Sequence, residues 1–106
     1  MNYLPDIYKG FQQQFPEVAR AYDELAGKCH DWGPLEEKAR RLIKLGVAMG
    51  LNSEGAVRSH ARRALEEGIT AEELRHAVLL AFTTTGFPTM IAAMKWVDEV
   101  IEKYKK

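Results

Sequence analysis

The sequence predicts an all-α single domain of about six helices, and three observations carry that reading. Apolar residues recur at three- and four-residue spacings along most of the chain. Valine and isoleucine are scattered in that same rhythm, and no Asn-Gly or Asp-Gly hairpin signal occurs. Glycine and proline then cut the chain into helix-length pieces. At 106 residues there is enough chain for one hydrophobic core and too little for two, so residues 1–106 are read as one domain.

The first two helices are framed by Pro5 and Pro16, residues suited to a first helical turn whose N–H has no partner. They are expected near residues 6–14 and 17–26, the second stopped by Gly27. A loop, KCHDWGP, leads to a third helix over residues 35–50. Its apolar stripe reads Leu35, Ala39, Leu42, Ile43, Gly46, Val47 and Met49, with Lys and Arg opposite. A fourth helix is expected over residues 54–67, with Ser53 as candidate cap. Its stripe is Ala56, Val57, His60, Ala61, Ala64 and Leu65. After Gly68 the chain restarts at Thr70, which forms a capping box with Glu73. This fifth helix runs through LRHAVLLAF, with a stripe of Leu74, Ala77, Val78 and Ala81, until TTTGFP breaks it.

The sixth helix is expected from about residue 88 to residue 104. Its second half carries a single stripe of Val97, Val100, Ile101 and Tyr104, while PTMIAAMKWV is apolar on nearly every side. A helix of that kind must be buried all round. Two placements satisfy this equally: an interface between copies of the chain, with Ala92 and Ala93 allowing close packing, or the centre of one bundle.

Composition excludes several classes of function. Lys plus Arg and Asp plus Glu both number 15, so no global field draws in nucleic acid or an anionic membrane. Arg58, Arg62 and Arg63 are offset by Glu54, Glu66 and Glu67 on the same helix. No apolar run approaches the roughly 18 residues of a membrane span, and MNYLPDIYKG does not resemble a secretory signal. The lone Cys29 rules out an internal disulfide and a Cys-x-x-Cys motif. A cytoplasmic protein is the expectation.

His60 leads the candidates for chemistry. It occupies a stripe position between Val57 and Ala64, with small residues beside it. Held there with a pKa near working pH, it could serve as general acid or base; a histidine satisfied by a backbone carbonyl is the plainer alternative. His76, one helix later on the side shared by Glu73 and Leu80, is a second catalytic candidate. Cys29 beside His30 suggests a thiolate nucleophile, but adjacent side chains point apart and no orienting third group follows. The three histidines lack a metal-binding spacing, and Gly46, Gly50 and Gly55 form no phosphate loop.

Three segments, GPLEEKARRLIKLGVAMG, SHARRALEEGITAEEL and AFTTTGFPTMIAAMKWVDEV, give the chain a resemblance to the carboxymuconolactone decarboxylase family, which includes the alkylhydroperoxidase D-like (AhpD-like) proteins. The resemblance covers almost the whole chain, and the middle segment is the most specific. It implies an all-α AhpD-like fold that assembles as a homo-oligomer, a trimer or hexamer. The redox members of the family use Cys-x-x-Cys-x-x-x-His; the matching positions here are Ser53, Ala56 and His60, so only the histidine is present. The relay carboxylate of those members falls near Arg41. Without the thiol pair, the peroxide-reducing disulfide cycle has no chemistry to run on, and peroxiredoxin activity stays a remote alternative. The decarboxylase branch keeps the histidine without the cysteines. It implies a cofactor-free lyase acting on a small organic acid or lactone, with His60 transferring a proton, no metal or organic cofactor, and His76 a weaker second residue. Arg58 and Arg41 are candidates to hold a carboxylate, although a helical wheel puts neither clearly beside His60. The TTTGFP segment departs from the aromatic-plus-Gly-Val-Pro pattern of the decarboxylases. The competing function is a non-enzymatic oligomeric module of the same fold.

Overall fold

The computed structural model describes residues 6–105, and these form six α-helices and no strand. In order they are α1 (Asp6–Gln14), α2 (Pro16–Asp31), α3 (Glu37–Gly50), α4 (Glu54–Glu66), α5 (Ala71–Thr85) and α6 (Phe87–Lys105). The described residues divide into two compact units, 6–34 and 35–105. Pro5, expected to open the first helix, lies outside the described residues.

The first unit is a helical hairpin of α1 and α2. Phe11 and Phe15 meet with ring centroids 5.6 Å apart, and the Tyr8 hydroxyl donates to Asp23 Oδ1 at 3.3 Å. Pro16 opens α2 as expected. Gly27 does not close it. Glycine stops a helix when it swings to positive φ past the last turn, and Gly27 is not among the residues that do so. The helix continues to Asp31 and carries Cys29 and His30 on its last turn, where a loop was expected.

The second unit holds the core. Leu45, Ala48 and Met49 of α3 pack with Val57, Ala61 and Ala64 of α4, Leu74 and Val78 of α5, and Met90, Ala93, Val97, Val100 and Ile101 of α6. The α4 and α5 stripes are those the sequence predicts. The α3 stripe is rotated. Its buried positions are Arg41, Leu45, Ala48 and Met49, while Leu35, Ile43 and Val47 of the expected stripe are 53%, 52% and 59% exposed. Both faces of α3 carry apolar residues, so periodicity alone could not rank them. Burial went to the face bearing an arginine because that arginine has partners, described below. α3 also begins at Glu37, after an extended Glu36, and the Leu35 carbonyl accepts from Arg40 Nε at 2.6 Å.

Helix termini follow the local chemistry. α4 ends in a Schellman motif: Gly68 at φ +94° lets its N–H reach the Leu65 carbonyl, and the Ile69 N–H reaches that of Ala64. Buried Ile69 anchors this turn in the core. The Thr70–Glu73 capping box then opens α5 with both reciprocal bonds formed. Ser53 occupies the N-cap of α4, but its side chain makes no capping bond. The threonine run does not end α5; Thr85 Oγ1 donates to the Ala81 carbonyl at 2.9 Å, and the break comes at Gly86, whose φ of +94° only glycine adopts at low cost. The first half of α6 is not buried all round within the chain. Met90 and Ala93 face the core, whereas Phe87 and Ile91 are 57% and 48% exposed.

Candidate functional site

Where α3 and α4 pack together, His60 meets the one charged residue counted as buried among the described residues, Arg41. Arg41 Nη1 lies 2.9 Å from His60 Nδ1. The same guanidinium is held from its other edge by Glu67, with Nε to Oε1 at 3.1 Å and Nη2 to Oε2 at 2.9 Å. This two-point fork is the strongest geometry open to an arginine–carboxylate pair. The three residues come from separate places: Arg41 lies one turn before Leu45 on the buried face of α3, His60 lies between Val57 and Ala64 on α4, and Glu67 follows the last turn of α4.

The position determines the charge on His60. Burial of the ring is the largest influence, followed by the positive charges of Arg41, Arg63 and Lys44; only Glu67 acts in the opposite sense. Together they push the imidazole down to about 4 from its ordinary 6.5. The expectation of a histidine titrating near working pH is therefore not met. At neutral pH the ring is an uncharged group in a positive field, and a field of that sign favours an anion beside the ring.

His76 is placed elsewhere. It lines an open groove of about 540 Å³ between α3 and α5, together with Ala39, Ile43, Gly46, Leu80 and Thr84. His60 does not line that groove, so the two candidate histidines do not share a site. Arg58 is engaged by Glu54 at 3.0 Å and by Glu99. Cys29 is exposed on α2. No group of three or more His, Cys, Asp or Glu side chains suited to a metal ion occurs among the described residues. No helix among them is long and apolar enough to cross a membrane.

Sequence reasoning named Arg41 without placing it beside His60, and missed Glu67. The available signal was phase: Arg41 stands in register with Leu45 and Ala48, and an acidic pair closes the next helix. A charged residue in phase with core leucine and alanine implies a charged partner at the same depth.

A family model, the carboxymuconolactone decarboxylase family, matches residues 16–99. The chain belongs to this family. Among its relatives, an uncharacterised protein of Methanocaldococcus jannaschii is 31% identical over 80% of this chain and 79% of its own. The nitrosuccinic acid decarboxylase of Metarhizium robertsii is 35% identical, over 68% of this chain and 54% of its own. The 4-carboxymuconolactone decarboxylase of Acinetobacter baylyi is 31% identical, over 64% and 51%. The chain thus spans about half the length of the two decarboxylases it matches. A carboxymuconolactone decarboxylase family protein of Legionella pneumophila, solved in its apo form, shares the fold with a TM-score of 0.82 at 24% identity, over 95% of this chain and 89% of its own.

Proposed function

We propose that this chain is a cofactor-free decarboxylase acting on a small organic acid, with His60 as the residue that meets the reacting atoms. The observation that carries the reading is an uncharged, half-buried imidazole set among Arg41, Arg63 and Lys44. Those cations favour a carboxylate substrate, and a neutral ring can lie against it without charge conflict. The names of the two decarboxylase relatives add a chemical constraint. A carboxylated lactone and a nitro-substituted acid both carry an electron-accepting group, a carbonyl or a nitro group, able to take up the electron pair left when CO₂ departs. In the reaction inferred here the C–COO⁻ bond breaks, its electron pair moves onto that group, CO₂ leaves, and the vacated carbon takes one proton from water, while the neutral imidazole N–H donates a hydrogen bond to the group holding the pair. A disulfide-based peroxidase is no part of this reading, since Ser53 and Ala56 carry no thiol.

The second reading, an assembly of copies of this chain, rests on a separate observation. Ile43 and Val47 of α3, Leu51 just past its end, and Leu79 and Leu80 of α5 are each more than half exposed. Ile43 and Leu80 line one groove between the two helices; exposed apolar surface marks an interaction site, and we infer a homo-oligomer closed through this face, whether or not the chain is catalytic.

The test of the catalytic reading is CO₂ release from 4-carboxymuconolactone and from nitrosuccinate by the purified chain, with His60→Gln in parallel. Turnover of either acid that falls by about two orders of magnitude or more in His60→Gln is expected, in line with losing a positioned hydrogen-bond donor to the developing charge. Turnover that His60→Gln leaves intact overturns the role of His60. No turnover of either acid removes the two substrates named here and leaves the oligomeric module as the better account.

A further inference from the structure

The contact between Arg41 and His60 has only one chemical sense. A guanidinium carries N–H donors and no acceptor. At 2.9 Å, Arg41 Nη1 therefore donates and His60 Nδ1 accepts. A neutral imidazole that accepts at Nδ1 holds its own proton on Nε2. We propose that Arg41, clamped by Glu67, is a positioning residue that locks His60 as the Nε2–H tautomer, so that the ring presents a fixed hydrogen-bond donor to the substrate oxygen that takes up the electron pair. This deepens the decarboxylase reading above and rests on it.

Glu67 gives the lock its direction. It occupies Nε and one Nη2 hydrogen of Arg41, and the planar fork then leaves Nη1 on the side of His60. Arg41 has 8% of its side chain exposed and Glu67 33%, so the guanidinium has little solvent to turn toward. A hydrogen bond from a charged donor shifts a two-state balance by roughly one to two orders of magnitude, which suffices to make one tautomer dominant.

The charges facing the ring act consistently with this assignment. Arg41, Arg63 and Lys44 oppose a second proton on it and only Glu67 favours one. A proton arriving at Nδ1 would displace the Arg41 hydrogen bond and set two cations face to face. His60 then works as a neutral electrophile: its Nε2–H stabilises the developing oxyanion, the ring stays neutral throughout, and the proton for the vacated carbon comes from water. Neutral histidine is a known form of electrophilic catalyst where a positive environment lowers its pKa.

The experiment reads the ring directly, in the full chain without substrate. Nitrogen-15 NMR of the His60 ring in wild type at pH 7 is expected to show a bare Nδ1 and a protonated Nε2, with titration only below about pH 5. In Arg41→Met the two nitrogens are expected to move toward averaged shifts and the midpoint to rise by about one pH unit. Arg41→Lys keeps a donor and restores part of the difference, while Glu67→Gln loosens the lock and gives an intermediate spectrum. A protonated Nδ1 or an averaged pair in wild type overturns the proposal, and so do unchanged shifts in a folded Arg41→Met. Because these spectra need no turnover, the tautomer assignment can fail while CO₂ release stands, or stand while CO₂ release fails. Where turnover is measured, Arg41→Met is expected to lower kcat roughly tenfold or more with little change in KM; an unchanged kcat overturns the positioning role.

Discussion

Replacing His60 by glutamine should make the fold less sensitive to acid, and the size of the effect follows from the site. In the folded chain the ring titrates at about 4, against 6.5 for an unperturbed histidine. The native state therefore binds fewer protons than the unfolded one in between. The contribution of His60 to stability is complete above pH 6.5, declines as the pH falls, and is lost in full below about pH 4. For that shift, linkage gives a loss of about 2 kcal/mol between pH 7.5 and pH 5. The ring is only half-buried, and solvent screening reduces the figure to about 1 kcal/mol. Urea unfolding at pH 7.5 and pH 5, at fixed protein concentration, measures it. Wild type should lose about 0.5–1 M more in midpoint than His60→Gln over this interval, for an m-value typical of a domain this size. Glutamine has no charge to gain, so the difference isolates the imidazole from every carboxylate in the chain. Equal losses in the two proteins would refute the buried neutral histidine and the electrostatic account of the site with it.

Two further outcomes test other parts of the structure. Thr70→Ala removes one of the two reciprocal bonds of the capping box and should lower stability by about 1 kcal/mol, read from denaturant midpoints; no change would mean that α5 starts without its cap. Leu80 is 65% exposed, so Leu80→Glu should leave the far-UV circular dichroism and the chain's own folding intact. If copies associate through the α3–α5 face, light scattering coupled to size exclusion should show the wild-type assembly reduced to smaller species. A wild-type monomer, or an assembly that Leu80→Glu leaves intact, removes that face as the interface.

Local signals in the sequence were sufficient where a single residue type decides the outcome. Pro16, the Thr70–Glu73 box and the apolar stripes of α4 and α5 fall where the sequence puts them, because capping and periodicity depend on near neighbours. Gly27 and the threonine run misled for the same reason in reverse. A glycine or β-branched residue lowers helix propensity by no more than about 1 kcal/mol, which surrounding turns can override. The α3 error is of another kind. Ile43, Val47 and Arg41 lie on one helix, and which of them is buried depends on Glu67 and His60, 26 and 19 residues away. No window along α3 contains that information.

That inversion on α3 also argues for a functional origin of the Arg41–Glu67 pair. Removing a guanidinium from water is costly, and replacing a buried ion pair with apolar side chains of similar volume is often neutral or stabilising. Within one chain α3 sets Ile43 and Val47 outward, on the face inferred to meet another copy, and turns Arg41 inward. An apolar interface accounts for the outward pair; it does not account for an ionised group on the inward face. The fork onto Glu67 would satisfy the arginine anywhere near the surface, so it does not account for the depth either. What the depth does achieve is contact with His60 Nδ1: a shallower guanidinium would be hydrated and would compete with water for the ring nitrogen. A single buried hydrogen bond fixes the tautomer, lowers the affinity of the ring for a second proton and leaves Nε2 as the one ring N–H to meet a ligand. Places where the hydrophobic pattern is broken at a cost in desolvation are where function is expected to outweigh packing, and in α3 that place is Arg41.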